Sequence, residues 1–413
     1  MSAAPDINPD RLHAELAELA TLSAHPAPAV TRVLFSKEDL AAREWLVEKA
    51  KAAGLDVRHD AVGNLFFTLN GSDPGLPAVA TGSHTDAIPN AGAYDGVVGV
   101  LGGLEALRTL RENGVTPRRS IELIMFTAEE PTRFGIGCLG SRMLAGTTSA
   151  EEAASLRDAD GRSLDELRPA AYAGDLASVI LPTGFYQAFV ELHIEQGPML
   201  EKQGIDIGIV TRIAAPAAFR LRFTGSGGHA GAVLMPDRHD AFLAAAETAL
   251  AVERAAVDSP SPDTVGTTGL VEVRPGAINS IPCDVLMEID FRDTEVDARD
   301  AAIDQIRNQA DAACGRRGVT LEWSCINIDP PAICDEALVA CAEKHAAALG
   351  CGHMRMISRA YHDSLFMARI CPTTMLFIPC RNGWSHRPDE YASPEAIAKG
   401  TNLLTRMLLD LAR

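Results

Sequence analysis

Thr81-Gly-Ser-His-Thr-Asp-Ala-Ile-Pro-Asn-Ala-Gly-Ala-Tyr-Asp95 is the stretch on which the fold of this 413-residue chain turns. Pro77-Ala-Val-Ala-Thr81, leading into it, is a short apolar run that ends in Gly-Ser, the pattern of a buried parallel strand as it leaves a sheet. His84 then falls at the carboxyl end of that strand, where the loops of an open α/β sheet converge and ligands bind. Asp86, two residues on along extended chain, faces the same way and can accept the second imidazole N–H, which fixes the tautomer of a metal-bound histidine. Asp95 follows a Pro/Asn/Gly turn. One His and one Asp can begin a divalent-metal site but do not complete it.

Three more apolar runs end in chemistry. Gly96–Arg108 is small and apolar, which predicts a helix packed tightly under the site, and Ile121–Thr127 is a second buried strand that ends in Ala128-Glu129-Glu130-Pro131. Two adjacent carboxylates cannot both reach one cation without strain, so one can ligate while the other stays available as a general base. Ala188–Leu192 ends in His193-Ile-Glu195-Gln196, and Thr373–Pro379 delivers the segment that carries His386. Four strand ends bearing His, Glu-Glu, His and His predict one catalytic centre on an α/β sheet. Gly135-Ile-Gly137-Cys-Leu-Gly140 matches a dinucleotide fingerprint literally, but a loop separates it from the strand, so the glycines do not form the strand-to-helix turn. The chain has no G-x-S-x-G and no H-E-x-x-H.

From about residue 214 the pattern changes. Phe219, Leu221 and Phe223 alternate with Arg220 and Arg222; a helical segment (237–257), two strands (265–273 and 285–291), a second helix (296–316) and a strand through Val319, Leu321 and Trp323 follow. The order β-α-β-β-α-β predicts a ferredoxin-like α+β domain, 214–328, inserted into an α/β domain made of 1–213 and 329–413. Within it His229 lies in a glycine-rich turn, Asn279 between Pro275 and Pro282, and Arg292 at a strand end. By position alone each is equally a turn residue or a surface charge.

Composition narrows the function. The 37 Lys and Arg against 55 Asp and Glu leave a net charge of −18, which disfavours nucleic acid and anionic membranes and means that an anionic substrate needs a local arginine. Nine cysteines with no C-x-x-C pair point to a reducing compartment, and neither a leader pattern at the amino terminus nor an 18-residue apolar window is present. A soluble cytoplasmic protein is expected.

These segments together resemble the amidohydrolase branch of the dinuclear aminoacylase/carboxypeptidase-like metallopeptidases, which includes N-carbamoyl-L-amino acid hydrolases, allantoate amidohydrolases and ureidoglycolate amidohydrolases. GSHTDA, AYDG, FTAEEPTRFG, ELHIEQGP, GGHAG, PGAINSIP and SHRPDEY occur in order between about residues 60 and 400. The resemblance implies a mixed-sheet metallopeptidase-like catalytic domain with a ferredoxin-like lid and dimerisation domain, acting as a homodimer. It implies that Asp95 bridges two divalent metals, one completed by His84 and His193 and the other by Glu130 and His386. Glu129 would be the general base, with Asp86 behind His84; His229 would hold the oxyanion; Gln196, Asn279 and Arg292 would bind substrate. Manganese is favoured, zinc next, with cobalt or nickel also compatible. Arg359-Ala-Tyr361-His-Asp and the stretch from Glu129 to Gly135 resemble the ureidoglycolate members, and the bulky Arg359 and Tyr361 suit a small anionic ureido substrate. N-carbamoyl amino acids and allantoate are the alternative substrates; an aminoacylase, a peptidase or an inactive binding protein are more distant ones.

Overall fold

The computed structural model describes residues 4–413, which divide into two compact units. The first runs to Thr211 and resumes with Ile333–Ser358 and His362–Arg413; the second is Arg212–Ala332 joined by Arg359–Tyr361. The boundaries thus fall at 212 and 332, beside the 214 and 328 read from sequence, and the short Arg359–Tyr361 segment groups with the second unit instead of the first.

The first unit is built on a nine-stranded mixed sheet. Its centre is four neighbouring parallel strands, in spatial order Ile121–Phe126, Ala78–His84, Tyr186–Ile194 and Thr373–Ile378. Being parallel, they present all four carboxyl ends on one edge of the sheet. Ile121–Phe126 and Thr373–Ile378 are buried at every position, as strands covered on both faces must be. Asp56–His59 and Leu65–Leu69 form an antiparallel pair and extend one side of the sheet.

The helix Val97–Glu112 is buried from Val97 to Leu110, and its small residues explain how it lies so close to the strands. A Cβ on Gly99 would stand 2.3 Å from the Leu192 carbonyl oxygen, so only glycine permits this approach. Gly96, at the start of the helix, has φ +67°, and a Cβ there would fall 2.3 Å from His84 Nε2. Glycine is therefore required both by the backbone and by the room that the imidazole needs. The closing helix Pro394–Leu411, capped by Ser393, packs against Val97–Glu112.

The second unit contains Ala215–Thr224, Ala241–Val257, Val265–Arg274, Asp284–Asp293, Val296–Arg317 and Thr320–Ile328, in that chain order. Its four strands pair antiparallel in the spatial order second, third, first, fourth, which is the split β-α-β pattern. Phe219, Leu221, Phe223, Val285, Met287, Ile289 and Phe291 point from alternate positions into one core with the two helices. Arg220 and Arg222, on the opposite face, pair with Glu288 and Asp284 at 2.7 and 2.9 Å. Among the described residues no helix is long and apolar enough to cross a membrane.

Candidate metal centre

His84 is the last residue of its strand, His193 the next to last of its own, and Glu129-Glu130 and His386 follow two others, so the parallel register delivers all five side chains to one edge. Asp95 lies between them. One of its oxygens is 3.2 Å from His193 Nε2 and 3.5 Å from His84 Nε2, while the other is 3.5 Å from His386 Nε2. Glu130 Oε1 is 3.2 Å from His386 Nε2. Two donor triads result, His84–Asp95–His193 and Asp95–Glu130–His386, and they share Asp95.

Glu129 stands beside the triads without belonging to either. Its Oε2 is 3.7 Å from His84 Nε2, and its Oε1 accepts a long contact of 3.6 Å from the Cys138 thiol. Burial, reinforced by the charges of Glu130, Asp363 and Asp95, raises its pKa well above the usual carboxylate range. Burial also works against ionisation of Asp95, but the imidazoles of His193 and His84 overcome it and hold that carboxyl well below the usual range. Neighbouring carboxyls pushed in opposite directions are the arrangement that lets one serve as a ligand and another exchange protons.

The donor set fits divalent cations. His84 Nδ1 donates to the Asp86 carbonyl oxygen at 3.0 Å and His193 Nδ1 to the Ile194 carbonyl oxygen at 2.9 Å, so in both rings Nε2 is the nitrogen turned toward Asp95, where a cation would take the place of a proton. His84 Nε2 is buried and has no hydrogen-bond partner. A buried imidazole nitrogen turned toward the carboxylates of Asp95 and Glu129 is a donor set that suits a divalent cation.

Asp86 does something other than the sequence suggested. Its carboxylate is 3.7 Å from His84 Nδ1, and the backbone carbonyl, not the side chain, orients the ring. The carboxylate instead accepts the backbone N–H groups of Glu129 and Glu130 at 3.3 and 3.0 Å. Two successive amides aimed at one anion outcompete a single imidazole, so Asp86 fixes the Glu-Glu loop.

Gln196, which the resemblance assigns to substrate, is turned onto Asp95, and several residues that the sequence reading left aside lie around it. Gln196 Nε2 donates to Asp95 Oδ2 at 2.6 Å, and the Ser385 hydroxyl lies between Asp95 Oδ2 and Glu390 Oε2, the latter at 2.9 Å. Glu390 Oε1 accepts from the backbone of Tyr94 and Asp95 at 2.8 and 3.1 Å, and burial pushes its carboxyl up to about 7. His362 packs edge-on to His193 with ring centroids 4.5 Å apart, and Asp363, raised by burial to about 8, accepts from Ser141. Ala128, Gln196 and His386 all adopt left-handed backbone, with φ of 54°, 54° and 59°. Each costs roughly 1–3 kcal/mol, and strain of that kind gathers where geometry serves a site.

Five of the residues singled out in the sequence lie on the second unit. His229 and Asn279 meet on a two-stranded ribbon, where His229 pairs with Ser280 and Ala230 N–H donates to the Asn279 carbonyl at 2.8 Å. Arg292 forks onto Asp290 with two contacts of 2.8 Å and reaches the Arg359 carbonyl at 3.4 Å, while the Arg359 side chain pairs with Asp263. The Arg292 fork is thus engaged by Asp290. Tyr361 is half-buried.

Comparison with known proteins places this geometry. Residues 80–410 match the model of Peptidase family M20/M25/M40. The chain belongs to this family. Among its M20 relatives, the ureidoglycolate hydrolase of Arabidopsis thaliana is 52% identical over 97% of this chain and 86% of the relative. The N-carbamoyl-L-amino-acid amidohydrolase of Paenarthrobacter aurescens is 38% identical over 98% of each. Among solved M20 structures, AtUAH in complex with (S)-hydroxyglycine superposes with a TM-score of 0.92 at 50% identity, covering 99% of both chains. An amidase of the hydantoinase/carbamoylase family from Burkholderia vietnamiensis does so with a TM-score of 0.92 at 35% identity, covering 100% of this chain and 99% of the other. The M20 chain described here is accordingly a hydrolase with a mixed-sheet metallopeptidase-like fold.

Proposed function

We propose that this enzyme is a dinuclear-metal amidohydrolase that hydrolyses ureidoglycolate to glyoxylate, ammonia and carbon dioxide. The observation that carries the reading is Asp95 shared by two donor triads with a protonatable Glu129 beside them. The choice of substrate is supported by the 52% identity to a ureidoglycolate hydrolase, against 38% to a carbamoylase. Bound at the triads, two divalent cations, manganese first and zinc next, supply Lewis-acid activation of a water and of the ureido carbonyl. His84, His193 and Asp95 would hold one, and Asp95, Glu130 and His386 the other.

The chain's own groups do the rest. Glu129 takes the proton of the attacking water and delivers it to the departing nitrogen as the C–N bond breaks, a transfer favoured by a carboxyl whose pKa burial has raised. Gln196 and Ser385 hold the Asp95 carboxylate in place from one side. Loss of ammonia and carbon dioxide from the ureido group leaves hydroxyglycine, which loses a second ammonia to give glyoxylate. Similar solved structures hold these same two molecules, (S)-hydroxyglycine and glyoxylate. His229, Asn279 and Arg292, with Arg359 and Tyr361, are assigned to substrate by the resemblance, His229 to the oxyanion and Arg292 to the carboxylate.

The test is ammonia release by protein stripped and reloaded with manganese, on ureidoglycolate, allantoate and an N-carbamoyl-L-amino acid. Ureidoglycolate is expected to lead by at least about tenfold in kcat/KM, roughly 1.4 kcal/mol of discrimination. A lead for the carbamoyl amino acid would leave the metal chemistry standing and overturn the substrate.

A homodimer belongs to the same reading. Val265–Arg274 is an edge strand of the second unit's sheet, with Val265 and Val271 exposed, and Phe242, Leu250 and Val257 are exposed at 7–8 residue spacing along the helix Ala241–Val257. An open edge beside an apolar helix face is suited to pairing with a second copy. Sedimentation is expected to give twice the chain mass; a monomer at micromolar concentration would remove this part of the proposal.

A further inference from the structure

A second cluster of metal-ligating side chains lies outside the site just described. Cys341 and His345 stand one turn apart on the helix Glu336–Ala348, and Asp410 is near the end of the closing helix Pro394–Leu411 that packs against it. One donor atom from each of the three lies within 4.8 Å of the other two, and all three residues are half-buried. His345 Nε2 is already 2.9 Å from Asp410 Oδ2. We propose that Cys341, His345 and Asp410 form a third divalent-metal site, for zinc or a cation of similar softness, which clips the last turn of the closing helix to its neighbour.

The ligand types argue for this class of metal. A thiolate among the donors suits zinc, cobalt or nickel, whereas magnesium and calcium favour all-oxygen sets. Cys341 and His345 at i and i+4 point to the same side of one helix, the spacing that lets two side chains share an ion. Donors around tetrahedral zinc stand roughly 3.3–3.7 Å apart, given bond lengths of about 2.0–2.3 Å, so closure asks for about 1 Å of side-chain movement. A water would complete a four-coordinate set.

Two cations compete for the carboxylate. Lys344 Nζ and Arg413 Nη1 each lie 2.8 Å from Asp410. Both are exposed arms, with 67% and 49% of their side-chain surface in solvent, and can turn away at little cost. Either occupant leaves the carboxylate neutralised, so what favours a dication is the simultaneous coordination of all three donors, which one ammonium on Asp410 does not provide. Burial raises the Cys341 thiol, so metal uptake releases its proton.

The test uses the enzyme already loaded with two manganese ions per chain, titrated with cobalt(II). A near-ultraviolet thiolate-to-cobalt charge-transfer band is expected, saturating at one further equivalent. It should vanish in Cys341→Ser, weaken strongly in His345→Ala, and titrate at several-fold lower cobalt in Lys344→Ala, where a competitor is gone. Cobalt exchanging into the first centre gives no such band, because none of its five ligands is a thiol. No thiolate band in the wild type, or one that persists in Cys341→Ser, would overturn the proposal, and neither result touches the function proposed above.

Discussion

Glu129→Gln is expected to lower kcat on ureidoglycolate by about 10²–10⁴-fold while leaving two metals bound per chain and KM within a small factor. Glutamine keeps the shape of the side chain and its contact with Cys138 but can neither accept the proton of the attacking water nor return it to the leaving nitrogen. Metal content should hold because the two donor triads are complete without Glu129. Elemental analysis beside steady-state kinetics separates the two effects. Wild-type turnover in this variant would remove Glu129 from the mechanism; loss of metal would make it a ligand instead of a base.

Asp95→Ala should do more, because one side chain serves both triads. Its two oxygens face three imidazoles, and removing them would take the shared donor from both triads at once. Both metals are expected to be lost together, with activity down by roughly 10³-fold or more, since the contribution of the metals is at least several kcal/mol. His386→Ala offers the contrast: His386 belongs to one triad only, so that variant should retain the other metal.

Much of this site was legible in the sequence because parallel strands convert chain order into position. Apolar runs ending in His84, Ala128-Glu129-Glu130 and His193 are local patterns, and an apolar strand can only end at the sheet's edge. Alternation at Phe219, Leu221 and Phe223 revealed the second unit for the same reason. Ser385, Glu390 and Asp363 were not legible, because their roles depend on contacts across the fold: Glu390 caps the amides of Tyr94 and Asp95, nearly 300 residues earlier. Asp86 was placed correctly but matched to the wrong partner. Spacing put its side chain near His84, but only the left-handed turn at Ala128, which carries no glycine to announce it, brings two amides to that carboxylate. Arg292 was legible as a cation at a strand end, and its engagement by Asp290 was not, although the two are a single residue apart.

Whether one carboxylate joins two metals is decided by anomalous X-ray scattering at the manganese edge on crystals of the reloaded wild-type enzyme. Two peaks about 3.5–4 Å apart are expected, one on each side of Asp95, one near His84 and His193 and the other near Glu130 and His386. A single peak, or two peaks with Asp95 bound to only one of them, would contradict the shared carboxylate.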